Sequence, residues 1–207
     1  MTLIVGWALG IVSAPITDAI RRRSIKRRIT RAIKSELISL QDAFALVVIK
    51  VARHRGVLTH SLLEALMSTL RTSGHELGTG KAIKTIDDLL HGEGGVLPTP
   101  PQEPRGSLSL KIQGVPFLEM HLHRIDFYSP ETQRQLLEIH AGAEIFRQYA
   151  DEAVRYHFMT FDQGIVEEHL TALVANIEKC YERAAEKASE IVSLVAVLLQ
   201  SREMRAA

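Results

Sequence analysis

Leu170, Ile177, Ala184, Ile191 and Leu198 recur every seven residues towards the end of the chain, and Val174, Tyr181, Ala188 and Val195 fill the adjoining line with the same period. Two apolar lines at this spacing make an a/d seam over about four heptads, which commits the segment to a long helix packed in a bundle or coiled coil. Ala184 and Ala188 beside Tyr181 imply a narrow place where a partner helix comes close. Tyr181 itself reads as a packing residue.

Such a seam needs other helices to bury it, and the sequence supplies them. A second long helix is expected from about residue 130 to residue 159, with Ser129 as N-cap, Pro130 at the first helical position and Thr132 in the first turn. Leu136, Ile139, Ala143, Phe146, Ala150 and Ala153 carry its apolar face. The break at 160–164 is short enough to fold the two long helices into an antiparallel hairpin. Upstream, Ile33, Leu37, Leu40, Phe44, Val47 and Val51 make a third stripe, ending near Gly56. Ser61 and Glu64 form a capping-box pattern opening a shorter helix to about Thr72, and another short helix is expected from Lys81 to Leu90. The fold class is all-α.

Residues 92–107 interrupt this pattern. Four glycines and four prolines fall within 92–106, the composition of a linker or exposed loop. Pro98, Pro101 and Pro104 have PxxP spacing, which also suits an aromatic groove. Leu108, Leu110 and Ile112 then alternate with polar residues, but no second strand nearby pairs with them. An extended segment lying across the helices is the favoured reading; addition to a strand of another chain is the alternative.

Charge is distributed unevenly. The chain has a formal net charge of +1, yet Arg21, Arg22, Arg23, Lys26, Arg27, Arg28, Arg31 and Lys34 lie within fourteen residues that contain no acid. Without these eight the remainder holds 17 Lys and Arg against 24 Asp and Glu. The basic run follows directly on an apolar opening, residues 1–17. A helix of that length covers about 26 Å, close to the lower limit for a membrane span. The expected organisation is therefore a membrane anchor at 1–20, a basic juxtamembrane collar at 21–34 and a helical bundle at 35–207. By the positive-inside rule the location would be a bacterial inner membrane, crossed once, with the N-terminus out and the body cytoplasmic. A signal peptide is disfavoured by the missing basic n-region, and an in-plane amphipathic helix by the lack of basic residues among the apolar ones. Gly6, Gly10 and Ala14 make a small-residue stripe suited to close packing of two membrane helices. The collar suits anionic lipid headgroups. It lacks any aromatic residue for stacking on bases, which disfavours nucleic acid.

No constellation of catalytic residues stands out. Residues 74–81 resemble a phosphate loop only superficially, because the spacing requires glycine where His75 stands and Ser or Thr where Ala82 stands. His121 and His123 share a face only on an extended chain, and Phe117, Leu118, Leu122 and Ile125 favour a helix there. His140 and Glu144 are correctly spaced on a helix, but neither HExxH nor the Glu-x-x-His pair of di-iron bundles occurs. No metal, cofactor or catalytic residue is expected. Cys180 is the single cysteine, which excludes an internal disulfide and fits a reducing compartment. It reads as a buried, inert thiol.

Residues 116–199, and in particular Ala150-Asp151-Glu152-Ala153-Val154-Arg155-Tyr156-His157-Phe158-Met159-Thr160-Phe161-Asp162, resemble certain uncharacterised bacterial proteins with an N-terminal membrane segment and a helical body. The resemblance implies a bacterial, membrane-anchored protein and no substrate. The functional expectation is a membrane-anchored helical scaffold that assembles partners, through self-association or a protein partner. The alternatives are a membrane-acting effector, for example in phage defence, that oligomerises through its first helix, and an enzyme with an unrecognised site.

Overall fold

The structure, a computed structural model, describes residues 2–73, 80–91, 108, 110, 114–161 and 166–206, with the backbone alone for 2–16. Among these residues every regular element is helical. In chain order they are α1 (Thr2–Arg55), α2 (His60–Thr72), α3 (Lys81–His91), α4 (Pro116–His121), a 3₁₀ helix (Leu122–Phe127), α5 (Pro130–Met159), α6 (Glu167–Gln200) and α7 (Arg202–Arg205). Residues 74–79, the whole Gly/Pro-rich segment 92–107, and Ile112 lie outside the described residues.

Three long helices define the body. α5 and α6 run antiparallel: a Cβ on Gly142 would meet Ile191, and Cys180 lies beside Glu152 further along. α1 crosses the same pair, with Phe44 edge-on to Phe146 at 4.8 Å between ring centroids. Ile33, Leu37, Phe44, Leu136, Ile139, Phe146, Tyr181, Ala184, Ile191 and Val195 are all buried between them. α1 is also antiparallel to α6. Its Lys26 meets Glu203 just beyond the end of α6, Gln41 donates to the Val192 carbonyl, and His54 and Arg55 meet Glu178 and Glu182.

The short helices are fastened to this frame by α1. The amides that open a helix have no partner within it and need an acceptor from elsewhere. Glu36 accepts from the Phe117 and Leu118 amides at the start of α4, at 2.8 and 2.9 Å, and Asp42 accepts from the Ala82 amide at the start of α3 at 2.9 Å. α2 caps itself. Its N-cap is Thr59, which accepts from the Leu62 amide, so the helix opens two residues earlier than the Ser61–Glu64 pattern predicts. α5 begins as its sequence predicts, with Ser129 accepting from the Thr132 amide and Pro130 in the first turn. α1 is ended just past Arg55 by Gly56, whose φ of 71° is open to glycine and costly for other residues.

One expectation is overturned. Among the described residues no helix is long and apolar enough to cross a membrane. The single pass through a bacterial inner membrane, with the N-terminus out and the body cytoplasmic, is therefore corrected. The apolar opening is not a separate anchor helix but the first part of α1, which continues unbroken through the basic run to Arg55. About 26 Å of apolar helix falls short of a hydrocarbon core of about 30 Å before Asp18 and the arginines begin. The side chains of Gly6, Gly10 and Ala14 lie outside the described ones, and with them the packing expected of that stripe.

Candidate functional site

α1 has 54 residues, against 30 in α5 and 34 in α6. At about 1.5 Å per residue it is about 80 Å long, whereas its two partners are about 45 and 50 Å. The excess lies on the N-terminal side. Among the described side chains, burial along α1 begins with Ile25 and Ile29, and every residue from 17 to 24 is exposed, Ile20 to 65%. The helix thus leaves the body close to Lys26 and carries a basic stretch into solvent.

The collar divides into two groups. Lys26 and Lys34 are structural: Lys26 pairs with Glu203 at 3.0 Å and lies 5.3 Å from the centre of the Tyr128 ring, and Lys34 donates to the Met204 carbonyl at 3.2 Å. Together with fully buried Met204 they seat α7 against α1. Arg21, Arg22, Arg23, Arg27, Arg28 and Arg31 are exposed. At about 100° per residue Arg23, Arg27, Arg28 and Arg31 share an arc of about 140°, opposite the line through Ile25, Ile29 and Ile33 that faces the body. α7 adds Arg202 and Arg205, both exposed, to the same end. Nothing in the local sequence pattern links these two to residues 21–34. They arrive because α6 runs antiparallel to α1 and delivers its C-terminal end there.

Glu203 is the acid that organises this end. It accepts from Lys26, from the Ser129 amide at 3.1 Å and from the Ser129 hydroxyl at 3.0 Å. Burial raises its pKa, but hydrogen bonds from Lys26, Ser129 and Thr132 outweigh that and hold it at about 2. It is therefore an anion with its acceptor capacity already committed to the fold. Tyr128 beside it, whose hydroxyl contacts Thr30 at 3.1 Å, has its pKa raised chiefly by burial.

The far end of the molecule is different in character. α1 stops at Arg55 opposite Glu182, while α6 extends back to Glu167. Of the heptad seam, Ile177, Tyr181, Ala184, Ala188, Ile191, Val195 and Leu198 are buried, whereas Leu170 and Val174 are 40% and 48% exposed. They sit where the third helix is missing. Val154, Phe158, Phe161 and Val166 are exposed beside them, Phe161 to 70%. Asp151, Glu152, Glu167 and Glu168, all exposed, give this end acidic character, with Arg155 among them.

Other residues singled out by sequence fall as follows. Cys180 is buried, 3.8 Å from Glu152, and its pKa is raised, first by burial and then by that carboxylate, which favours the unreactive thiol. Burial likewise raises the pKa of Tyr181, whose ring meets His54 edge-on. His121 stacks on Phe117 and lies 6.2 Å from the His123 ring, closer than a regular α-helix allows, because the chain tightens to a 3₁₀ helix at Leu122. His140 faces Glu119 at 3.8 Å. Among the described residues no group of three His, Cys, Asp or Glu is placed to hold a metal ion.

The fold and its two ends define an all-α helical bundle with a basic extension and an apolar, acidic tip. No family model, no curated protein and no solved structure matches the chain.

Proposed function

We propose that this is a helical interaction protein that docks on anionic lipid surfaces through the exposed arginines of α1 and associates, with itself or with a protein partner, through the apolar tip of the α5–α6 hairpin. The observation that carries the reading is the separation of the two features. Exposed arginines gather at one end of the molecule, and exposed seam residues at the other. Each basic residue near an anionic surface contributes about 1 kcal/mol. The exposed arginines are therefore sufficient for reversible attachment without a span. The absence of aromatic residues from 21–34 favours lipid headgroups over nucleic acid.

Binding of the full chain to phosphatidylcholine vesicles with and without phosphatidylserine tests this. Binding should require phosphatidylserine and weaken as salt rises. Replacing Arg21, Arg22 and Arg23 by Gln should weaken it about 100-fold, the equivalent of about 3 kcal/mol. Equal binding to both vesicle types contradicts the reading. For the other end, replacing Phe158 and Phe161 by Ser should reduce self-association in analytical ultracentrifugation, or partner capture, and leave vesicle binding unchanged.

A further inference from the structure

We propose that Arg23, Arg27 and Arg202 form a binding site for a phosphate monoester in the concavity between α1 and α7. The proposal rests on the reading of the α1 flank as an anion-binding surface and gives that surface a chemical preference. The concavity has a volume of about 310 Å³ and is lined by these three arginines together with Lys26, Thr30 and Glu203. Arg23 and Arg27 are four residues apart, on one face of α1. Arg202 approaches from a different element. α7 is held in register by the Ser201 hydroxyl, which accepts from the Met204 amide, by the buried Met204 side chain and by Lys34 on the Met204 carbonyl.

The remaining polar groups of the concavity are already engaged. Lys26 and Glu203 neutralise each other, the second carboxylate oxygen takes the Ser129 amide and hydroxyl, and Thr30 bonds to the Lys26 carbonyl and meets Tyr128. No acid among the described residues pairs with Arg23, Arg27 or Arg202. Three positive charges therefore converge on one concavity with no counter-ion from these residues. Guanidinium groups are planar forks that bind phosphate oxygens two at a time. A phosphate monoester offers three free oxygens and up to two negative charges, one oxygen for each fork. A phosphodiester offers two free oxygens and one charge, and a carboxylate is poorer still. The concavity is larger than a phosphate group and open to solvent, leaving room for the remainder of the ester. The same chemistry is presented by the headgroup of phosphatidic acid and by a soluble phosphorylated metabolite.

The experiment uses the full chain, with Arg202→Gln as the diagnostic variant and Arg22→Gln as its control. Both remove one exposed positive charge, but Arg22 does not line the concavity. Vesicles of phosphatidylcholine containing phosphatidic acid or phosphatidylserine, matched in surface charge, are compared, and glycerol 3-phosphate is titrated separately by calorimetry. The wild type should prefer phosphatidic acid by about tenfold, and Arg202→Gln should abolish that preference while Arg22→Gln retains it. Circular dichroism establishes that both variants fold. Saturable binding of glycerol 3-phosphate that Arg202→Gln abolishes supports the site with a soluble ester as its source. Preference for phosphatidic acid without such binding supports it with a lipid source. Equal effects of the two substitutions, or neither preference nor soluble binding, overturn the site. If phosphatidylserine binding persists in that last case, the flank reading survives. If glycerol 3-phosphate binds while no anionic vesicle does, the flank reading fails and the site stands.

Discussion

Replacing Glu203 by Gln should destabilise the fold at neutral pH and do so much less in acid. The carboxylate is held at a pKa of about 2 against an ordinary value of 4.5, a displacement worth about 3 kcal/mol if undiminished. Its side chain keeps 26% of its surface in water, so screening reduces the contribution to about 1–2 kcal/mol. The sign follows from the direction of the shift. A carboxylate whose pKa is depressed by folding adds stability that is fully present above its unfolded pKa and is lost as pH falls towards its folded one. Urea unfolding followed by far-UV circular dichroism should therefore show a wild-type advantage of about 1–2 kcal/mol at about pH 6, shrinking to less than half of that near pH 3. Because other carboxylates titrate in both proteins, the difference between them isolates Glu203. A gap of the same size at both pH values would show that the amide disrupts packing rather than removing a charge. No gap at pH 6 would mean that Lys26 and Ser129 gain nothing from the carboxylate.

Phe146→Ala removes a fully buried ring and its edge contact with Phe44, and should cost about 3–5 kcal/mol in urea unfolding; a cost below about 1 kcal/mol would place the α1–α5 contact outside the core. Gly142→Val should cost about 1–3 kcal/mol, because a Cβ there already meets Ile191 at 3.1 Å and the added methyls must push α5 and α6 apart. Gln41→Met should change stability by less than about 1 kcal/mol. It loses two hydrogen bonds, to Ser73 and Val192, but also removes a buried Oε1 that has no partner, and a loss above about 3 kcal/mol would reveal an acceptor role for that oxygen.

The helical body was legible because apolar spacing is a local signal. The stripes through Leu37 and Phe44, through Leu136 and Phe146, and through Ile177 and Val195 each specify a helix face, and the three faces bury one another. The Ser129 cap was legible for the same reason. Periodicity does not carry relative length. The seam continues in sequence to Leu170, but whether a residue is covered depends on where its neighbour ends, and α1 ends at Arg55. The trans caps from Glu36 and Asp42, and the arrival of Arg202 beside Arg23 and Arg27, depend on helix order in space and leave no mark on nearby residues. Nothing in the local pattern marks Gly142 as a position where a Cβ on α5 would meet Ile191. Hydropathy does not distinguish a membrane span from the first part of one long helix, because both begin with an apolar stretch and a basic flank.

In the proposed docking mode the basic end of α1, and not the hairpin tip, meets an anionic surface. The direct test places a nitroxide probe at one of two positions in a Cys180→Ser background, through Ser24→Cys or Phe158→Cys, both exposed sites at opposite ends of the molecule. Electron paramagnetic resonance then reports probe mobility as phosphatidylserine vesicles are added. Mobility should fall at residue 24, reversibly with salt, and stay unchanged at residue 158. Loss of mobility at residue 158 alone, or no change at residue 24, would contradict this docking mode.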